Sequence, residues 1–119
     1  MDDTKMTIQQ LKDRVEKLIK ERDWHVFHNA KSLSMDIAVE AGELMERVMW
    51  VPEKDLEEHC KKERAGLEEE LADVFIGAIS FALRYNMDIA DIMERKIKLT
   101  AERYPIEKAK GTYTKYTKL

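Results

Sequence analysis

Little in this sequence interrupts a helix. Only four glycines and two prolines are spread over 119 residues, while Ala, Leu, Glu, Lys, Met and Arg dominate, a mixture that favours helices over strands. The predicted class is all-α. A single cysteine, Cys60, excludes an internal disulfide. The charged start around Asp2, Asp3 and Lys5 leads into no signal-peptide core, so a cytoplasmic location is expected. Long apolar runs are missing too. The stretch from Val74 to Leu83, interrupted by Gly77 and Ser80, is about half the ~20 residues a membrane span needs and reads as a buried helix core. Positive charge is not in excess: 21 basic residues stand against 24 acidic ones, a net charge of −3. That balance offers no potential for holding a polyanionic backbone, so a nucleic-acid polymer is not the expected partner.

What is present fits one domain over residues 1–119. A helical chain this short buries only about two-thirds of its unfolded surface, so pairing with copies of itself is an easy route to further burial. Ile8, Leu11, Val15, Leu18 and Ile19 form an apolar stripe at three- and four-residue steps, which predicts a first helix over roughly 6–22. The aromatic stretch Asp23-Trp24-His25-Val26-Phe27-His28-Asn29 reads as an ordered loop able to line a pocket. A second helix is expected from a cap at Ser32 or Ser34, through Leu44 and Met49, to Val51-Pro52. Pro52 suits the first turn of a short segment, with a third helix from about 61 to 85. Asp88 is the expected cap of a fourth, ended by Tyr104-Pro105. The tail at about 106–119, with Lys108, Lys110, Gly111 and Lys115, reads as irregular and basic. A bundle of about four helices follows.

Two carboxylate pairs carry the chemistry. Glu40-Ala41-Gly42-Glu43 lies on the second helix and Glu70-Leu71-Ala72-Asp73 on the third, each with its acids three positions apart. On a helix such side chains are neighbours, roughly 5–6 Å apart at Cβ, so each helix presents a claw of carboxylates. If the helices pack side by side, the acids converge, and a divalent cation relieves their repulsion. Hard oxygen ligands suit Mg2+, with Mn2+ as the alternative, and Mg2+ commonly keeps water and binds substrate phosphates. Spacing alone leaves an ordinary solvated acidic face as the competing reading. Two features weigh against it. No basic residue lies between Ser32 and Glu46 while Asp36, Glu40, Glu43 and Glu46 follow steps of four, three and three. Asp73 also stands at the entrance to the apolar run from Val74, where an unpaired carboxylate is expensive.

The paired motifs, separated by about 30 residues, resemble the signature of the MazG-like all-α nucleoside triphosphate pyrophosphohydrolases. Glu21-Arg22-Asp23-Trp24, Phe27-His28, Leu44 with Glu46, Trp50, Glu69-Glu70-Leu71 and Arg103-Tyr104-Pro105 resemble its dCTP pyrophosphatase branch in order and spacing. The resemblance extends over roughly residues 5–116. It implies hydrolysis of a nucleoside triphosphate to monophosphate and pyrophosphate, by all-helical subunits assembled as a dimer or a dimer-of-dimers tetramer. It carries Glu40, Glu43, Glu70 and Asp73 over as catalytic magnesium ligands, with Glu40 or Glu43 also orienting the attacking water. Trp24, His28 and Trp50 match base-contacting positions, against the alternative that they simply pack. Metal ions neutralise the triphosphate, and basic residues such as Lys31, Lys96 and Arg103 are candidates to hold the charge of the leaving pyrophosphate. The substrate reading leans to a pyrimidine deoxynucleotide.

Three positions depart from the resemblance. Gly77 stands where dCTP-like members often carry a tyrosine, Thr100 where asparagine is frequent, and Asp36 where an apolar residue is common. Elsewhere the signals are weak: His59-Cys60 lacks the second pair of a zinc motif, and no Gly-rich phosphate loop occurs. The competing functional class is a helical nucleotide- or metal-binding module without turnover.

Overall fold

The computed structural model describes residues 1–119 and is all-helical. Its helices are α1 (Ile8–Glu21), α2 (Ala30–Glu46), α3 (Leu56–Lys62), α4 (Arg64–Arg84), α5 (Ile89–Arg103) and α6 (Ile106–Ala109), with short 3-10 turns at Trp24–Phe27, Glu53–Asp55 and Tyr116–Lys118. None of these helices is long and apolar enough to cross a membrane. The chain forms two compact units, Met1–Asn86 and Met87–Leu119.

In the first unit, α1 begins with a reciprocal cap. The Gln10 amide donates to Thr7 Oγ1 at 3.1 Å and the Thr7 amide donates to Gln10 Oε1 at 2.8 Å, which satisfies donors that have no partner inside the helix. The apolar stripe of α1 buries Val15 and Ile19, and α1 packs on α4. The main contact is between α2 and α4, which run antiparallel. The Ala30 amide donates to the Tyr85 hydroxyl at 2.6 Å. Ile37 meets Gly77 further along, and Arg47 meets Glu70 at the other end. Gly77 is buried at the crossing. A Cβ there would stand 3.1 Å from Ile37 Cγ1 and 3.2 Å from Asp36 Oδ2, so the missing side chain sets how closely the two helices approach. This register places Glu40 and Glu43 opposite Asp73 and Glu70.

The buried apolar core of the isolated chain is thin: Val15, Ile19, Leu33, Ile79 and Ala82. Large apolar side chains remain on the surface of the same helices, including Met35 and Val39 on α2 and Leu71 and Phe75 on α4.

Several sequence expectations need correction. The cap of α2 is Asn29, whose Oδ1 accepts from the Ser32 amide at 2.9 Å, while Ser32 Oγ accepts from the Asn29 amide at 3.1 Å. Ser32 is thus the answering half of the cap, and the helix opens at Ala30. At its far end α2 stops at Glu46, short of Met49, because the chain turns at 47–50. The segment after Pro52 is more helical than expected. It forms α3, and a break at Glu63 (φ −96°, ψ 15°) separates that helix from α4. Asn86 stops α4 as expected, with φ of 53°, a left-handed conformation that asparagine tolerates.

In the second unit, Asp88 caps α5, its Oδ1 accepting from the Asp91 amide at 2.8 Å. The tail carries two short helical pieces, α6 and the 3-10 turn at Tyr116–Lys118, joined by an irregular stretch at 112–115. Pro105 precedes α6, and Tyr116 lies edge-on to Tyr104 at 5.8 Å with the Arg103 guanidinium 4.7 Å over its ring.

Candidate metal centre

The four carboxylates of the paired motifs come together. Glu40 and Glu43 from α2 and Glu70 and Asp73 from α4 each present an oxygen within 4.8 Å of the others. Glu43 is exposed and the other three are partly buried. Glu40 Oε2 and Glu70 Oε2 are buried without a hydrogen-bond partner. Such orphaned oxygens are costly in a folded protein, and both belong to the converging carboxylates. Burial does most to push the Glu40 carboxyl up to about 7, helped by the hydrogen bond and charge of Glu43 and by the charges of Asp73 and Asp36. Hard oxygen donors converging from two helices, two of them buried and without a partner, fit a divalent cation.

One partner of this cluster was not foreseen. Arg47, just past the end of the acidic stripe on α2, reaches across to α4 and pairs there with Glu70 rather than with an acid of the stripe. Its Nη2 donates to Glu70 Oε1 at 3.2 Å and its Nη1 lies 3.8 Å from Glu63 Oε2. The His59 ring donates from Nε2 to the Arg47 carbonyl at 2.7 Å, so His59 secures the end of α2. The sequence cue was the first basic residue after the stripe, three positions beyond Leu44.

Trp24 and His28 line a cavity of about 310 Å³ with Phe27, Ser32, Asp36 and Ser80. The stretch that carries them is held in place by α4, as Arg84 Nε donates to the His28 carbonyl at 3.1 Å. His28 also borders a neighbouring cavity of about 400 Å³ with His25, Lys20 and Arg84. Asp36 is therefore a wall residue of the aromatic cavity and also contributes to the field at Glu40. Within one chain Trp50 does not join Trp24 and His28. It is 85% exposed and borders a separate hollow with Pro52 and His59. Lys31 is exposed in the first turn of α2, nine residues before Glu40 and so about 13 Å along the helix axis. Lys96 and Arg103 belong to the second unit, where Lys96 lines a shallow apolar hollow with Met93, Ile97 and Thr100.

An all-helical chain that joins two acid pairs across antiparallel helices defines a class, and comparison with known proteins gives it a family. The sequence matches the MazG-like family over residues 35–119, and the chain belongs to that family. It is 35% identical over 101 residues to dCTP pyrophosphatase 1 of Bos taurus, an alignment that covers 83% of this chain and 60% of the relative. The mouse protein of the same name is 36% identical over 101 residues, with 83% and 59% covered. The chain thus spans about 60% of the length of these relatives. Among solved structures, a pyrophosphatase from Archaeoglobus fulgidus superposes with a TM-score of 0.79 at 25% identity, covering 88% of this chain and 98% of that one.

Proposed function

We propose that the protein hydrolyses a nucleoside triphosphate to the monophosphate and pyrophosphate, with Glu40, Glu43, Glu70 and Asp73 holding Mg2+. The observation that carries the reading is the convergence of these carboxylates with two buried, unpartnered oxygens among them. Its relatives being dCTP pyrophosphatases supports the same reaction class and a pyrimidine deoxynucleotide as substrate. Clearing the nucleotide pool in the cytoplasm is the role that fits it.

When bound, the cation supplies the positive charge that lets the triphosphate enter an acidic site. Glu40 or Glu43 orients a water toward the α-phosphorus; the water oxygen bonds to phosphorus and gives up a proton to solvent as the bond to the α,β-bridging oxygen breaks and pyrophosphate departs. No covalent nucleophile is needed. Trp24 and His28 receive the base in their shared cavity, where an aromatic face suits stacking. By the resemblance, Lys31, Lys96 and Arg103 are candidate cations for the departing pyrophosphate, and Trp50, apart from Trp24 and His28 within one chain, is a candidate base contact for the nucleotide of a neighbouring copy. Residues 1–119 act as one domain in this reading. The exposed apolar faces of α2 and α4, with Val39 57% and Phe75 61% exposed, support a homodimer or a dimer-of-dimers tetramer. Alanine at Glu43 or Asp73 should abolish turnover while far-UV circular dichroism stays helical. Undiminished turnover in either variant contradicts the assignment.

A further inference from the structure

We propose that Arg47 is a positioning residue that sets the orientation of Glu70, so that one oxygen of this carboxylate is held by the guanidinium and the other is presented to the cation. The inference rests on the metal reading above. Its basis is an asymmetry within one side chain: Glu70 Oε1 accepts from Arg47 Nη2 at 3.2 Å, whereas Glu70 Oε2 is buried and has no partner. A glutamate with three rotatable side-chain bonds loses considerable freedom when fixed, and a bond to one oxygen is a direct way to fix the other.

Arg47 is itself held from three elements. Its backbone ends α2, the amide donating to the Leu44 and Met45 carbonyls. Its carbonyl is taken by His59 of α3. Its guanidinium lies between Glu63 and Glu70, and its side chain is only 34% exposed. Gly66 provides the space for this. A Cβ at Gly66 would collide with Arg47 Nη1 and stand 2.6 Å from its Cζ and 3.2 Å from its Nε. Gly66 lies in the first turn of α4, and its absent side chain is what lets the guanidinium approach that helix. A chance surface ion pair requires neither the glycine beneath it nor the second anchor at the carbonyl.

The consequence is a dependence of metal affinity on residues that do not ligate. Hydrogen-bond partners of metal ligands typically contribute 10–100-fold to affinity. Binding of Mn2+ alone, read by electron paramagnetic resonance on the full chain without nucleotide, should weaken about tenfold in Arg47→Ala. Gly66→Ala should weaken it similarly with Arg47 still present, and the double variant should be no weaker than either single one, because both remove the same contact. If Arg47→Ala does not fold, Gly66→Ala carries the test. Unchanged or tighter Mn2+ binding in the folded variants overturns the proposal, tighter binding meaning that Arg47 acts only as a repelling charge. Additive losses in the double variant also overturn it. The metal reading fails separately: the wild type then binds no Mn2+, or binds it undiminished in Asp73→Ala. If Asp73→Ala abolishes binding while Arg47→Ala and Gly66→Ala leave it intact, only the role of Arg47 falls.

Discussion

Below neutrality, a divalent cation entering the cluster should expel a proton from Glu40. Burial first, then the hydrogen bond and charge of Glu43, then Asp73 and Asp36, raise this carboxyl from an ordinary 4.5 to about 7. A group titrating near pH 7 holds about 0.9 of a proton at pH 6 and about 0.1 at pH 8. Ligation takes the charged form, so binding should release about 0.9 proton per site at pH 6 and about 0.1 at pH 8. Calorimetric titration with Mn2+ in buffers of different ionisation enthalpy measures that number directly. The same shift affects folding. Because the folded value lies above the unfolded one, the contribution of Glu40 is fully present below about pH 4.5 and is lost as pH rises through about 7. The metal-free protein should therefore lose Tm across this window, and Glu40→Gln should flatten the decline. Saturating metal should reverse it. No proton release at pH 6, or equal release at pH 6 and pH 8, refutes the argument that the cation and the proton compete for one carboxylate.

Leu33→Ala removes one of the few buried core side chains, 3% exposed, and should lower stability by about 2–5 kcal/mol in urea unfolding. Gly77→Leu places bulk where a Cβ alone would already press on Ile37 and Asp36, and should destabilise by about 1–3 kcal/mol. A neutral result there would show that α2 and α4 can separate freely. Trp24→Ala should raise KM with kcat nearly unchanged, as expected for lost uniform binding of the base, and a fall in kcat alone would place Trp24 elsewhere in the reaction.

The helices and the acid claws were legible because both depend on local periodicity. Steps of three and four residues identify the buried face of α1, and the same spacing puts Glu40 beside Glu43 and Glu70 beside Asp73. Asp88 was legible as a cap for the same reason, since it precedes its helix directly. Asn29 was not, because it closes an aromatic stretch and its capping partner is the serine that had itself suggested the cap. The break at Glu63 carries neither proline nor glycine, so nothing local marks it. Long-range pairing was the harder part. Arg47 finds Glu70 across 23 positions, and the space beneath it is the side chain that Gly66 lacks. Gly77 reads from sequence only as a departure from a tyrosine of the resembling branch, whereas in the fold it governs the approach of α2 to α4. Trp24 and His28 share a cavity, in keeping with a stretch legible as an ordered loop able to line a pocket, while Trp50 lies apart from them in the single chain.

The central claim is cleavage between the α- and β-phosphates at the four-carboxylate site. Phosphorus-31 NMR of a deoxynucleoside triphosphate, beginning with dCTP, incubated with the protein and Mg2+ beside a Glu43→Ala control, tests it most directly. The account predicts equal amounts of monophosphate and pyrophosphate, dependent on Mg2+ and absent from the control. Nucleoside diphosphate with inorganic phosphate, or no turnover by folded protein across a panel of bases, would contradict it.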